Sequence, residues 1–173
     1  MPLHMLIYIF AILFNNAEPK RSAMPAVSIP DPHFEQALIQ SGYDDKADGQ
    51  IDVENIRHIV YLDVSNRKIS NLKGIEHFAS LISLHCENNR LETLDLSALN
   101  RLMYLFCSNN RITELHLPES IMALDVSCNR IDSLDFSRLK KLTVMSLSGN
   151  PLSDNLALPG EMDVEIISSR HCQ

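Results

Sequence analysis

The feature that most limits how this chain can fold is an eleven-residue segment that recurs at nearly constant intervals. Four copies share one template: LISLHCENNRL from residue 81, LMYLFCSNNRI from 102, IMALDVSCNRI from 121 and LTVMSLSGNPL from 142. A fifth copy, IVYLDVSNRKI from residue 59, departs from it at one position. An asparagine recurs at 89, 110, 129 and 150, in steps of 21, 19 and 21 residues. This period predicts an array of small stacked units.

Within each unit the apolar residues alternate, as they do in a strand that buries one face. In the copy that starts at residue 102, Leu105 and Cys107 should point inward, whereas Tyr104, Phe106 and Ser108 should point outward. One coil cannot bury its own apolar side chains, so the coils must stack with their strands parallel. The sequence therefore predicts an α/β repeat of the leucine-rich type. Such a solenoid has a curved parallel β-sheet on its concave side and turns, short 3-10 segments or single helical turns on its convex side.

The recurring asparagine has a structural role in this arrangement. Its amide can donate to and accept from backbone groups that would otherwise be buried without partners. We predict a ladder of Asn89, Asn110, Asn129 and Asn150 along the array. The copy that starts at residue 59, which is the first along the chain, has Arg67 at this position. That coil should therefore be distorted, or should form part of an N-terminal cap.

The remaining segments divide the chain around the array. We predict a signal peptide at 1–17, a linker at 18–28, a helical N-terminal cap at 29–58, about five repeat units at 59–152, and a C-terminal cap and tail at 153–173. The signal peptide rests on the apolar run MLIYIFAILF at 5–14, which is followed by polar residues and Ala17. The run is shorter than the roughly 17 to 25 residues that cross a bilayer. We expect cleavage near Ala17, export, and no stable membrane span afterwards; the alternative is a buried or membrane-anchoring helix.

The N-terminal and the C-terminal cap each contain a local pattern. Asp31 can cap a helix that starts at Pro32 and that buries Phe34, Ala37 and Leu38 on one face. Past the array, Met162, Val164 and Ile166 alternate like one last strand.

The stretch DDKADGQIDVEN at 44–55 resembles a calcium-binding EF-hand loop. Asp44, Asp48 and Asp52 fall at ligand positions of that loop. However, Lys46 places a positive charge at the third position, and Asn55 replaces the bidentate glutamate at the twelfth. We therefore favour a structural turn that leads into a short helix capped by Asp52, and predict weak or no calcium binding and no cofactor.

Charge and cysteine placement narrow the functional classes. The formal charge of −7, with no run of Lys or Arg longer than two, argues against a nucleic-acid partner. The serines and the seven histidines form no nucleophile–base pattern, so we predict no enzymatic activity. Cys86 and Cys107 occupy the same repeat position and should be free, buried thiols. The states of Cys128 and Cys172 stay open.

The outward strand positions identify a candidate binding surface. Exposed aromatic side chains with a polar rim are typical of such surfaces. The predicted contact residues are Tyr61, Asp63, His85, Glu87, Tyr104, Phe106 and Asp125. The alternative is that the aromatic rings only pack across strands or lie under a loop.

Several segments together resemble bacterial cell-surface leucine-rich repeat proteins of the internalin-like and Bacteroidetes types. The likeness covers roughly 29–152, through IPDPHFEQALI, DKADGQIDVENI, ISNLKGIEHFASLISL and the LxCxxNRL units. LPESIMALDVSCNRI is similar to repeats of secreted bacterial effectors. The resemblance implies export, recognition of a protein, peptide or glycan, and no catalytic residues. We expect a monomeric interaction module; the alternatives are a self-assembling surface protein and a secreted effector that acts on a host protein.

Overall fold

The computed structural model describes residues 26–152, 164–167 and 172. The predicted signal peptide and Met162 lie outside these residues. The elements, in chain order, are β1 (Ala26–Ser28), α1 (Pro32–Gln40), β2 (Gln50–Asp52), α2 (Val53–Ile56), β3 (Tyr61–Asp63), a 3-10 helix (Ile75–His77), β4 (Ser83–His85), β5 (Thr93–Asp95), β6 (Tyr104–Phe106), β7 (Glu114–His116), β8 (Ala123–Asp125), β9 (Val144–Ser146) and β10 (Glu165–Ile166).

The main sheet confirms the solenoid predicted from the repeat. Six parallel strands lie side by side in the order β10-β9-β8-β6-β4-β3. Register pairing places one apolar side chain from each of the five repeat strands in a single row: Leu62, Leu84, Leu105, Leu124 and Met145. All five are buried. Each coil thus covers the apolar side of the next, as stacking requires.

The convex side differs in part from the prediction. The 3-10 helix Ile75–His77 is of the expected kind, but two later coils form a second parallel sheet, β5 with β7. Leu94 of β5 pairs with Leu115 of β7, and both are buried. Alternating apolar residues such as Leu94 and Leu96 can form a strand there, because a unit of about twenty residues leaves no room for a full helix.

The ladder asparagines hold successive coils together. Asn89 Oδ1 accepts from the backbone N–H groups of Arg67 at 3.1 Å and Ile69 at 3.0 Å. Its Nδ2 donates to the carbonyl oxygens of Val64 at 2.9 Å and Cys86 at 3.0 Å. One amide therefore serves backbone groups of two neighbouring coils. The other three ladder residues repeat the pattern, with Oδ1 accepting from Leu91, Ile112 and Ile131 respectively.

We expect Asn129→Ala to lower the free energy of unfolding by about 1–3 kcal/mol, because it leaves buried backbone groups without partners. Asn129 accepts from Ile112 N–H at 2.9 Å and donates to the carbonyls of Cys107 and Val126. Urea denaturation measures the change. The matched control is the exposed Asn100→Ala. Equal losses in the two variants would contradict the structural role of the ladder.

The first coil is distorted where Arg67 replaces asparagine. Regular coils have one residue with positive φ just before the ladder position: Asn88, Asn109, Cys128 and Gly149. The first coil has two, Asn66 at 60° and Lys68 at 63°. Without its own amide at this position, the coil uses Asn89 of the next coil to bond the N–H of Arg67.

Helix α1 forms as its capping residue predicted. Asp31 Oδ1 accepts from the N–H groups of His33 at 2.9 Å and Phe34 at 3.1 Å. Its Oδ2 accepts from Ser70 N–H at 2.7 Å and Asn71 N–H at 3.1 Å, so one carboxylate joins the helix to the first coil. Because Asp31 is 4% exposed, these bonds are shielded from water.

The N-terminal segment continues this packing. The Phe34 and Phe78 rings stack with centroids 6.3 Å apart. Residues 26–28, at the end of the segment predicted as a linker, form β1, which pairs antiparallel with β2 and buries Val27. This segment runs so close to Gly74 (φ 101°) that a Cβ there would meet Ile29 and the carbonyl of Ser28. The buried residues of α1 and β1 thus join the core of the array.

The cysteines form two different pairs. Cys86 and Cys107 are buried free thiols, as predicted. A hydrogen bond with Cys86, together with burial, raises the pKa of the Cys107 thiol well above its ordinary value. Cys128 and Cys172 form a disulfide across 44 residues. The bond lies over Gly149 (φ 74°), where a Cβ would collide with Cys172 Sγ.

The last coil forms part of the predicted strand. β10 pairs with β9 in parallel, with Ile166 beside Met145. Val164 packs against the core, whereas Ile166 is 53% exposed, since within the described residues no further coil covers it. In the same described residues, no helix has the length and apolar character needed to cross a bilayer.

Candidate binding site on the concave sheet

The outward side chains of the main sheet form two rows that cross the strands. We call the first the central row: Asp63, His85, Phe106, Asp125 and Ser146, which are register neighbours on β3, β4, β6, β8 and β9. The second, the outer row, contains Tyr61, Ser83, Tyr104, Ala123 and Val144. Parallel pairing without offset aligns equivalent positions, so the repeat itself builds both rows.

Three of the four predicted aromatic contacts pack against one another, Tyr61 tilted on His85 and His85 stacked on Phe106. The rings of Tyr61 and His85 are 5.1 Å apart, and those of His85 and Phe106 are 4.6 Å apart with an interplanar angle of 21°. Tyr104 lies two residues before Phe106, and its register neighbours are the small Ser83 and Ala123. Tyr61 is 51% and Tyr104 37% exposed, so no described loop covers them. The stacked group is open to a partner.

Hydrogen bonds hold the two aspartates of the central row. Asp63 Oδ1 accepts from the N–H of Ser65 at 2.9 Å. Asp125 Oδ1 accepts from the N–H of Ser127 at 3.0 Å and from its hydroxyl at 2.6 Å. Within the described part of the chain, neither Oδ2 has a hydrogen bond. Each aspartate therefore has a fixed orientation and one oxygen available.

Glu87 lies beside the stacked group. Its Oε2 accepts from the Ser65 hydroxyl at 2.7 Å, and its Oε1 is 3.6 Å from His85 Nδ1. Both Glu87 and His85 have side chains 25% exposed. This glutamate connects the first two coils and orients the imidazole that lies between two aromatic rings.

The surroundings of Asp63 favour its charged form. Burial raises the pKa of this carboxyl, but the hydrogen bonds from Ser65 and the nearby His85 and Arg67 together lower it more. The net pKa lies below the ordinary value. Asp63 therefore keeps its negative charge further into the acidic range than an isolated aspartate does.

The outward strand positions of the concave face have acidic side chains but no lysine or arginine. The outward positions run from Tyr61 to Ser65 in the first coil and from Val144 to Ser148 in the fifth, and they include three carboxylates and no Lys or Arg. Three exposed arginines, Arg90, Arg111 and Arg130, instead follow the ladder asparagines, beyond the ends of the strands. The array thus keeps its positive charges off the concave face.

Three serines at outward strand positions are less accessible than their direction suggested. Ser108, Ser127 and Ser146 are buried, with Ser127 only 2% exposed. The accessible area therefore lies around the stacked aromatic group. Sequence periodicity predicts on which face of the sheet a side chain lies. It does not predict how much of a small side chain the neighbouring coils cover.

The EF-hand-like loop does not assemble a cation site in this structure. Asp44 Oδ1 accepts from the backbone N–H groups of Asp45 and Lys46 in the same loop. Asp48 Oδ1 accepts from Gln50 N–H. Asp52 belongs to β2, and although it precedes α2 its side chain makes no capping bond. Within the described residues, no group of three or more His, Cys, Asp or Glu is placed to hold a metal ion.

Two cavities of the described part lie away from the aromatic group. One of about 340 Å³ lies on the convex side beside Lys73, Glu76 and Asp95. Another of about 430 Å³ lies between Pro118 and Lys141. The concave surface is an open face, as suits a macromolecular partner more than an enclosed small molecule.

Comparison with known proteins supports the fold. Internalin C2 from Listeria monocytogenes matches with a TM-score of 0.62 and 21% identity over 80% of this chain and 63% of its own. A leucine-rich repeat protein of Leptospira interrogans matches with a TM-score of 0.52 and 24% identity over 57% of this chain and 28% of its own. The chain thus spans less than two thirds of either protein. No protein-family model and no curated protein matches the sequence.

These similarities are consistent with the internalin-like part of the predicted resemblance at the level of the fold. The likeness to Bacteroidetes cell-surface proteins stays a prediction.

Proposed function

We propose that this protein is an exported interaction module that binds a protein, peptide or glycan on its concave face. The observation that carries the proposal is the solvent-accessible aromatic group of Tyr61, His85 and Phe106, in which His85 and Phe106 lie between Asp63 and Asp125. Large aromatic rings supply much contact area at little conformational cost, and they dominate the energetics of many interfaces.

The rigidity of this surface also favours binding. Each ring projects from a strand whose inward neighbour is buried in the core, and the acidic side chains are held by hydrogen bonds. A preorganised surface loses less conformational entropy when a partner docks. The face is therefore suited to recognition by a monomer, without rearrangement of the repeats.

Export is supported by the disulfide as well as by the apolar N-terminal run. Disulfides persist in oxidising compartments and are rare where thiols are kept reduced. The Cys128–Cys172 bond fixes the C-terminal coil to the array. We further infer that α1 caps the N-terminal end of the core, because Phe34 and Asp31 both contact the first coils.

A photo-crosslinking amino acid tests the site. Placed at Tyr104 on the concave face, it should give a discrete adduct with the partner in cells that produce the protein. Placed at the exposed Thr93 on the convex β5, it should not. Adducts from Thr93 alone would move the binding site to the other side of the solenoid.

The same preparation tests export. The secreted protein should begin near Glu18, as shown by N-terminal sequencing. Intact Met1 on protein that stays inside the cell would contradict this part of the proposal. Sedimentation tests the self-assembly alternative. If the crosslinked adduct joins two copies of the chain, the protein should also sediment as a dimer or larger oligomer.

A further inference from the structure

We propose that the partner presents basic side chains to the concave face, with arginine or lysine groups packed over Tyr61 and Phe106 and paired with Asp63 and Asp125. This inference rests on the proposed function and adds the chemistry of the partner. It follows from three features of the face: its charge, the free oxygens of its aspartates, and the position of its rings.

Charge complementarity is the first feature. The outward positions of the five repeat strands include Asp63, Glu87 and Asp125 but no lysine or arginine. The sign of a surface selects partners of the opposite sign and raises their association rate. A basic segment fits this face, whereas an acidic segment would be repelled by all three carboxylates.

The aspartates are prepared for a cation. Each uses Oδ1 for the serine two residues later, and each leaves Oδ2 without a hydrogen bond in the described part of the chain. An oriented carboxylate with a free oxygen can form a charge-assisted hydrogen bond at little entropic cost. A guanidinium group, which has five N–H donors, can meet that oxygen while its plane rests on a ring.

The rings occupy the places between the aspartates. In the central row the order is Asp63, His85, Phe106, Asp125, so the stacked imidazole and phenyl groups separate the two carboxylates. Cations bind favourably over aromatic faces, and a carboxylate nearby adds to the attraction. Because His85 lies between Tyr61 and Phe106, a cation can pack on the outer ring at either end of the aromatic group, on Tyr61 near Asp63 or on Phe106 near Asp125.

The row also has a length that an extended chain can match. Asp63 and Asp125 are three strand intervals apart, which at about 4.8 Å each is about 14 Å. Residues four apart in an extended segment are separated by about 13–14 Å. A partner segment with basic residues at positions i and i+4, lying across the strands, would reach both aspartates.

A neutral glycan is the main competitor. Sugars also stack on aromatic rings and hydrogen-bond to carboxylates, but they give no reason for a face on which carboxylates occur and lysine and arginine do not. We therefore favour a basic peptide segment, and neutral glycan binding at the same rings is an outcome that would overturn this choice.

The test uses the full chain and a pair of matched peptides. One nine-residue peptide carries arginine at positions i and i+4 among serine and threonine, and the other carries the neutral isostere citrulline at the same positions. Fluorescence anisotropy at low ionic strength should show about tenfold tighter binding of the arginine peptide, since two exposed charge pairs together contribute this much. Salt at about 0.15 M should reduce the difference.

Matched variants locate the effect. Asp63→Asn with Asp125→Asn keeps the shape of both side chains and should remove the preference for arginine. The control is Asp95→Asn on the convex sheet, where Asp95 Oδ1 accepts from Ser97 N–H and Oγ in the same way that Asp125 does from Ser127. Asp95→Asn should leave binding unchanged.

Each contrary result has a distinct meaning. Equal binding of the two peptides, or tighter binding of a neutral glycan at the rings, overturns the cationic partner. If Asp95→Asn reduces the preference for arginine as much as the concave-face variant does, the peptide responds to the overall negative charge of the protein. That result overturns the assignment to the concave face. If neither peptide binds but crosslinking from position 104 still captures a partner, this inference alone is overturned. If neither peptide binds and position 104 gives no crosslink, the proposed function is overturned as well.

Discussion

Replacing Tyr104 and Phe106 together by serine should weaken binding of the natural partner by about a hundredfold or more. Aromatic anchors near the centre of an interface commonly contribute about 2 kcal/mol or more each when truncated. Both rings project from the same strand, and β6 lies in the middle of the main sheet. Titration of the variant against the partner identified by crosslinking measures the loss.

The fold of this double variant should persist. Tyr104 is 37% exposed, and Phe106 loses mainly its contact with His85, a stack worth about 0.5–1.5 kcal/mol. Thermal melting should therefore move by only a few degrees. If the variant melts as the core variant below does, the rings belong to the core. Unchanged binding with an unchanged melting temperature would place the partner on the convex side or on the caps.

The variant Leu105→Ser should unfold the array or bring it close to unfolding. Leu105 is fully buried between Leu84 and Leu124 of the neighbouring strands. Truncating a buried leucine costs about 2–5 kcal/mol, and a buried hydroxyl without a partner adds to that cost. This is a large part of the 5–15 kcal/mol by which a domain of ordinary stability is folded.

Urea denaturation measures this loss, and Leu134→Ser is the matched control. Leu134 carries the same side chain but is only partly buried on the convex side. Its replacement should cost clearly less than that of Leu105. Similar midpoints for the two variants would mean that the assigned repeat register is wrong.

The repeat allowed most of the solenoid to be predicted from the sequence. Periodicity identified the inward row from Leu62 to Met145, and the capping residue Asp31 identified the start of α1. Two strand pairings escaped prediction for physical reasons. β1 depends on a long-range pairing with β2, and β5 depends on its neighbour β7, so neither has a signal within its own few residues.

The candidate site was predictable only in outline. Alternation places Tyr61, His85, Tyr104 and Phe106 on one face. It does not reveal that His85 stacks between two rings, or that Ser65 bonds to Glu87 in the next coil. These contacts join residues about twenty positions apart and depend on rotamers, which a single sequence does not specify. The Cys128–Cys172 pairing was undecidable for the same reason.

That disulfide gives the solenoid a particular route for mechanical load. A repeat array normally unravels from its end, one coil at a time, because each coil contacts only its neighbours. A pull applied at Cys172 passes through the covalent bond into Cys128 and bypasses the residues between them. The coil that contains Gly149 and Asn150 then carries no tension. Under such a pull the fifth coil is spared, and the fourth coil, which contains Cys128, is the first to bear the force.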